Sequence, residues 1–300
     1  MNVLPWLFGR KPKSPGFGIS KNFYLTVLAT SPILPSMRDL TSQKPINGEV
    51  LAMGAPLAKA ATKEDLFAPL SFGAYGVVSI DKRTLIKMLV VDPEKAGFDP
   101  LIYTESADAA NASPEVISRV KGAWTMTQLN VETYDPGVYH SMRIMMRLAK
   151  RIGEMSVGVI ADPISQRYQL PDDFYNENFD DEPLRPQELV EIHQDPSESG
   201  LKLYTLGLQK IDLPELELDG VDPSDIRLGV RFLLRTVKLI LSGKPLELDD
   251  KLGSKDVHFQ VASGGFNRKL WEGIPVFELI PSPQFEVHKI LEAIEADASD

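Results

Sequence analysis

Between Ala123 and Asp162 the chain changes its period twice, and no other stretch restricts the fold as much. AWTMTQLNVETY (residues 123–134) alternates apolar and polar side chains, as a strand with one buried face does. From Pro136 to Met155 the apolar residues recur every third or fourth position, which predicts an amphipathic helix, and SVGVIAD (156–162) then predicts a second strand. Strand, helix and strand with short connections make a βαβ unit, so part of this sheet is expected to be parallel or mixed. At about 100° per residue, Val138, Met142, Met145, Leu148, Ala149, Ile152 and Met155 share one helix face. His140, Arg143, Arg147, Lys150 and Arg151 share the other.

The same design recurs once. DPSDIRLGVRFLLRTVKLILSG (222–243) predicts a helix with Ile226, Val230, Leu233, Val237 and Ile240 inward, and Arg227, Arg231, Arg235 and Lys238 in a second one-signed stripe. Like charges at i,i+4 repel by a few tenths of a kcal/mol, and most surface helices interleave signs. Three readings are open: solvated faces, an internal clamp by an acidic part of the chain, or an external acidic partner or phosphate ligand. The clamp has an obvious source. Residues 171–200 hold ten acidic side chains against one arginine, a net −9 in a chain whose total is −10.

Elsewhere the signals are local. KNFYLTVLAT (21–30) has the aromatic and β-branched density of a buried strand, and AYGVVSI and LIKMLVV around Asp81-Lys82-Arg83 predict a hairpin. SPEVISRVKG (113–122) predicts a short helix with Ser113 as N-cap, Pro114 in the first turn and Gly122 at its end. Beyond residue 188 the order reads β-β-α-β-β-α. The expected architecture is α+β: two adjacent α/β sandwiches with mixed sheets, the first containing the βαβ unit. Its expected divisions are an arm at 1–20, a first domain at 21–170, an acidic linker or loop at 171–187 and a second domain at 188–300.

Composition narrows the chemistry. At 300 residues, 43% hydrophobic and 25% charged, the chain is long enough to bury a core without a metal or disulfide staple. The absence of cysteine removes thiol nucleophiles, iron–sulfur clusters and Cys-based zinc sites, and fits a cytoplasmic setting. No window reaches the roughly 18 apolar residues of a membrane span. MNVLPWLFGRKPK places apolar before basic residues, the reverse of a secretory signal, so export is not expected. Trp6 and Phe8 are the anchors if residues 1–13 touch a partner or a membrane surface. Positive charge is too dispersed for nucleic acid to be the expected ligand.

The phosphate-loop, dinucleotide, nucleophile-elbow, zincin and EF-hand spacings are absent, and His140, His193, His258 and His288 are scattered, so neither cofactor nor metal is expected. The Asp-Pro pairs at Asp92, Asp99, Asp135, Asp162, Asp195 and Asp222 read as caps and turns. Asp162 stands apart, because it ends a strand where α/β proteins often place working carboxylates. SGGFNRKLWEG (263–273) reads as a hairpin turn, with an anion nest at Gly264-Gly265, Arg268 and Lys269 as the alternative.

LYTLGLQKIDLPELELDGV (203–221), with T-x-G before a Pro-Glu-Leu run, combines with the Trp-led strand and GVIADP to resemble a group of uncharacterised bacterial α+β domain proteins. The resemblance implies a bacterial cytoplasmic origin and carries over no catalytic residue. Within it, Gly207 suits a bulge or close backbone approach, and Pro214 with Glu215 suits an edge. The leading expectation is a non-catalytic interaction or scaffold protein, of which immunity-type proteins are one variant, with a protein partner held through Arg143, Arg147, Arg151, Arg227, Arg231, Arg235, Trp6 or Phe8. The competing expectation is a hydrolase or transferase for an anionic substrate, with His140, Arg143, Arg147 and Asp162 as its site.

Overall fold

The computed structural model describes residues 18–42, 50–54, 64–106, 109, 112–133, 139–175, 184–266 and 268–297. In chain order its elements are β1 (Tyr24–Ala29), α1 (Met37–Ser42), β2 (Val50–Gly54), β3 (Gly73–Ser79), β4 (Thr84–Val91), α2 (Pro100–Thr104), α3 (Pro114–Lys121), β5 (Thr125–Thr133), α4 (Tyr139–Met155), β6 (Gly158–Asp162) and β7 (Arg167–Gln169). They continue with α5 (Pro171–Phe174), α6 (Pro186–Leu189), β8 (Glu191–Ser197), β9 (Gly200–Leu206), β10 (Glu215–Val221), α7 (Ile226–Leu241), β11 (Lys251–Gly253), β12 (His258–Ser263), β13 (Val276–Pro281) and α8 (Val287–Asp297). The fold is α+β with two sheets.

The first sheet has the order β2-β3-β4-β5-β1-β6-β7. The strand–helix–strand unit β5–α4–β6 is present, but β1 lies between its two strands and pairs antiparallel with both. Thr26 faces Gln128 on one side and Ala161 on the other. Every pairing in this sheet is antiparallel, and the direct parallel pair expected of the unit is not made. The cause is the apolar character of β1 on both faces. Leu25, Val27 and Ala29 join the core that contains α4, whereas Leu28 joins Met126, Val159 and the α3 residues Val116 and Val120 on the opposite face. A strand of that kind loses least by taking an interior position.

Local signals placed several elements closely. Ser113 caps α3 by accepting a hydrogen bond from the Val116 amide at 3.3 Å, and Gly122 closes it. The β3–β4 hairpin pairs Val78 with Leu85 across a turn in which Lys82 has φ 59°. Asp222 accepts from the Ser224 amide at 2.8 Å and starts a single 3-10 turn leading into α7.

The second sheet has the order β11-β12-β13-β10-β9-β8, is mixed, and holds a parallel pair, β10 with β13. It corrects the β-β-α-β-β-α reading, because β10 and β11 are additional strands. It also corrects the expectation of an edge at Pro214 and Glu215, because β10 lies inside the sheet between β9 and β13. Its alternation explains the placement: Leu216 and Leu218 enter the core with Phe232, Leu233 and Val237 of α7, and the intervening Glu215 and Glu217 are buried beside hydrogen-bond donors. One contiguous apolar core includes Leu25, Ile86 and Leu129 of the first sheet, Met142 and Met145 of α4, and Leu203, Phe259 and Val261 of the second sheet.

Candidate functional site

The carboxylate expected to stand at a strand end is sealed off. Asp162 closes β6, accepts the Ser165 amide at 3.2 Å, and forms an ion pair with Lys210, a fully buried lysine in the 3-10 turn Leu208–Ile211. Lys210 Nζ also donates to the Leu189 carbonyl at 2.6 Å and lies 5.6 Å from the centre of the Phe23 ring. Burial pulls the Lys210 ammonium down to about 8, with Arg167 acting in the same direction and Asp162 and Glu215 opposing. This one side chain ties the first sheet to the turn preceding β10. The Ser20 amide adds a further tie by donating to the Lys210 carbonyl at 2.7 Å.

Helix α4 is buried from Ser141 through Ala149, and its basic face is no surface stripe. Arg143 and Arg147 are only 6% and 4% exposed. Arg143 Nη2 stands 3.6 Å from Glu188 Oε2, and Glu188 also accepts from the Arg185 amide at 2.7 Å. Lys150 Nζ donates to the Tyr175 carbonyl at 2.8 Å, while Arg151 pairs within its own helix with Glu154 at 2.9 Å. The described flanks of the acidic segment, 171–175 and 184–190, thus lie along α4, which corrects Arg143 and Arg147 as surface interaction residues. Trp6, Phe8 and the His140 side chain lie outside the described residues, as do Asp135 and Pro136.

Helix α7 has the opposite environment. Arg227, Arg231, Arg235 and Lys238 are all exposed. Among the described residues, the acid paired with them comes from α8 and not from the segment 171–200. Glu295 Oε1 pairs with Arg231 Nη1 at 2.8 Å, and Glu295 Oε2 with Arg235 Nη1 at 2.6 Å.

A third charged region was not expected from the sequence. On the face of the second sheet opposite α7, buried Glu217 accepts from Lys202 Nζ at 2.9 Å, Arg268 Nη1 at 2.7 Å and Trp271 Nε1 at 2.6 Å. The Arg268 guanidinium covers the Tyr204 ring at 4.7 Å and pairs with Asp195. Arg268 is therefore turned inward, and the anion nest loses its arginine; Gly264 and Gly265 serve close packing instead, against Glu278 and Trp271. Burial raises the Glu278 carboxyl against the pull of Lys202, with Glu217 and Asp219 adding to the rise. Burial likewise raises Glu215, although Thr205 Oγ1 donates to it at 2.6 Å and the Gly207 and Gln209 amides at 2.8 and 3.1 Å. Gly207 does make the close approach expected of it: at φ 142° an added Cβ would stand 2.2 Å from the Leu189 carbonyl oxygen. The available signal was the alternation E-L-E-L-D at 215–219, which marks a strand with one charged face.

Two cavities accompany these groups. One of about 640 Å³ lies under the 263–277 loop, and one of about 570 Å³ lies between β7 and β8, beside the stacked rings of Tyr103 and Tyr168. Neither is lined by Asp162 or Lys210. Among the described residues no group of three or more His, Asp or Glu side chains is placed to hold a metal ion, and no helix is long and apolar enough to cross a membrane. Comparison with protein-family models, curated proteins and solved structures finds no match to this chain.

Proposed function

We propose that the chain is a non-catalytic interaction protein of the cytoplasm that receives an acidic protein partner on the exposed face of α7. One observation carries this reading. Of two helices with the same one-signed stripe, α4 has Arg143 and Arg147 inside the fold, whereas α7 leaves Arg227, Arg231, Arg235 and Lys238 exposed to solvent. A concentrated patch of one sign is costly to the free fold and supplies steering toward a partner of the opposite sign. The enzymatic alternative is weakened by the state of Asp162, whose carboxylate is buried and committed to Lys210 and Ser165.

The test is affinity capture from the source cell with three baits: the wild type, an Arg227→Glu/Arg231→Glu/Arg235→Glu variant, and a chain lacking residues 1–12. Protein partners are expected with the first and third baits and not with the second. Partners indifferent to the arginine replacements, or lost with the N-terminal residues alone, would overturn the assignment to α7.

A further inference from the structure

Resting on that reading, we infer that Glu295 is an internal stand-in for the partner's carboxylate: α8 lays an acidic side chain across the α7 arginines, and an acidic helix of the partner displaces it. The geometry is that of a recognition contact made in cis. Each carboxylate oxygen of Glu295 takes one guanidinium, and the two arginines sit one helical turn apart. Arg231 is nonetheless 50% exposed and Arg235 41%, so both remain open on their outer sides. Ion pairs this exposed are worth about 0–1 kcal/mol, and an incoming carboxylate array has little to displace.

Displacement needs no unfolding. Ile290 and Leu291 are buried in the core and hold α8 in place, so only the Glu295 side chain must change rotamer. The class of partner is set by the pattern of the stripe. Arg227 to Lys238 covers about 16 Å of helix at about 1.5 Å per residue. Basic groups at steps of four, four and three match carboxylates repeating at the same steps along a second helix, and the internal template is itself borne on a helix. A nucleic acid fits worse, because the stripe is one side chain wide and its neighbour α8 carries Glu292, Glu295 and Asp297 in a chain of net charge −10.

The probe is a labelled helical peptide with glutamates at every fourth position, titrated with the full chain at low ionic strength and read by fluorescence anisotropy. Glu295→Gln is expected to tighten binding about two- to fivefold, the range set by the worth of an exposed pair. Glu292→Gln removes the same charge from the same helix at a side chain paired with His288 and Lys289, and is expected to leave affinity unchanged. Arg231→Gln/Arg235→Gln is expected to weaken binding about tenfold or more in either background. Equal gains from Glu295→Gln and Glu292→Gln would reduce the effect to net charge and overturn the stand-in role. Arginine-dependent binding with no gain from Glu295→Gln would overturn that role while leaving α7 as the docking face. Absence of binding to every form would overturn the acidic helix as partner, as would equal affinity for an RNA oligonucleotide of the same charge. Circular dichroism of each variant confirms that α8 remains folded.

Discussion

Helices α4 and α7 have nearly the same pattern of apolar and basic residues, and the fold treats them in opposite ways. α4 has Arg143 and Arg147 under cover, with Glu188 beside Arg143 and the Tyr175 carbonyl holding Lys150. α7 has its arginines in water, with Glu295 alongside two of them. Amphipathic periodicity identifies which face of a helix is charged; it does not say whether solvent or protein lies opposite. The difference lies in the segments packed beside each helix. Past α4 the chain returns through the proline-initiated turns α5 and α6, and Pro171 packs against Gly153 closely enough that a Cβ there would stand 2.9 Å from the proline ring. The basic face of α7 is met at one edge by α8, through Glu295.

The largest expected effect comes from the most deeply buried cation. Lys210→Met leaves Asp162 buried without its partner and is expected to cost about 3–5 kcal/mol in urea unfolding. Adding Asp162→Asn should return a large part of that loss. If Lys210→Met alone proves neutral, the pair is not what joins the sheets. A pH series sharpens the same point. Lys210 holds its proton to about pH 8 in the folded protein, against 10.5 for an unperturbed lysine. Above pH 8 the unfolded chain therefore binds a proton that the folded one has released, and the contribution of this group to stability rises with pH up to about 10.5. The stability of the wild type relative to Lys210→Met should climb through that window; a flat or falling difference would mean the lysine is not desolvated.

Next in size is the direct contrast between the helices. Arg143→Ala is expected to destabilise by about 2–3 kcal/mol, below the full cost of an orphaned buried charge because Glu188 keeps Arg185. Arg231→Ala, the same chemical change on α7, is expected to cost less than about 1 kcal/mol, and less still at high salt. Thermal unfolding of the two variants side by side decides the matter. Equal losses would mean that both stripes are structural and that α7 is not kept for a partner.

Elements whose causes are local were legible in the sequence: α3 with its serine cap and closing glycine, the β3–β4 hairpin, and α7 with its apolar face. Features with distant causes were not. Nothing near residue 27 announces that β1 will part β5 from β6, since the decision rests on apolar faces supplied by Leu129 and Ile160. β10 was expected at most as an edge at Pro214 and Glu215, and the burial of Glu215 and Glu217 inside a sheet is tolerable only with donors from Thr205, Lys202, Arg268 and Trp271 around them. Asp162 was singled out for its position, but its partner, a lone lysine in LQKIDL, gave no sign of being inside. The stripe on α7 was legible in full, and only the structure distinguishes it from that on α4.

The place of β1 also governs how the protein can be made. Tyr24 pairs with Asn130, and Thr26 with Ala161, so the strand leaves the ribosome with its neighbours still more than a hundred residues downstream. Until β6 has been synthesised, β1 has one flank without a partner and both faces apolar, the kind of segment that chaperones bind and that pairs with the wrong edge. Non-local pairing of this order makes for slow closure of the sheet. Strand β1 is thus translated well before both of its neighbours, and the time between is when a nascent chain of this design is most exposed to aggregation.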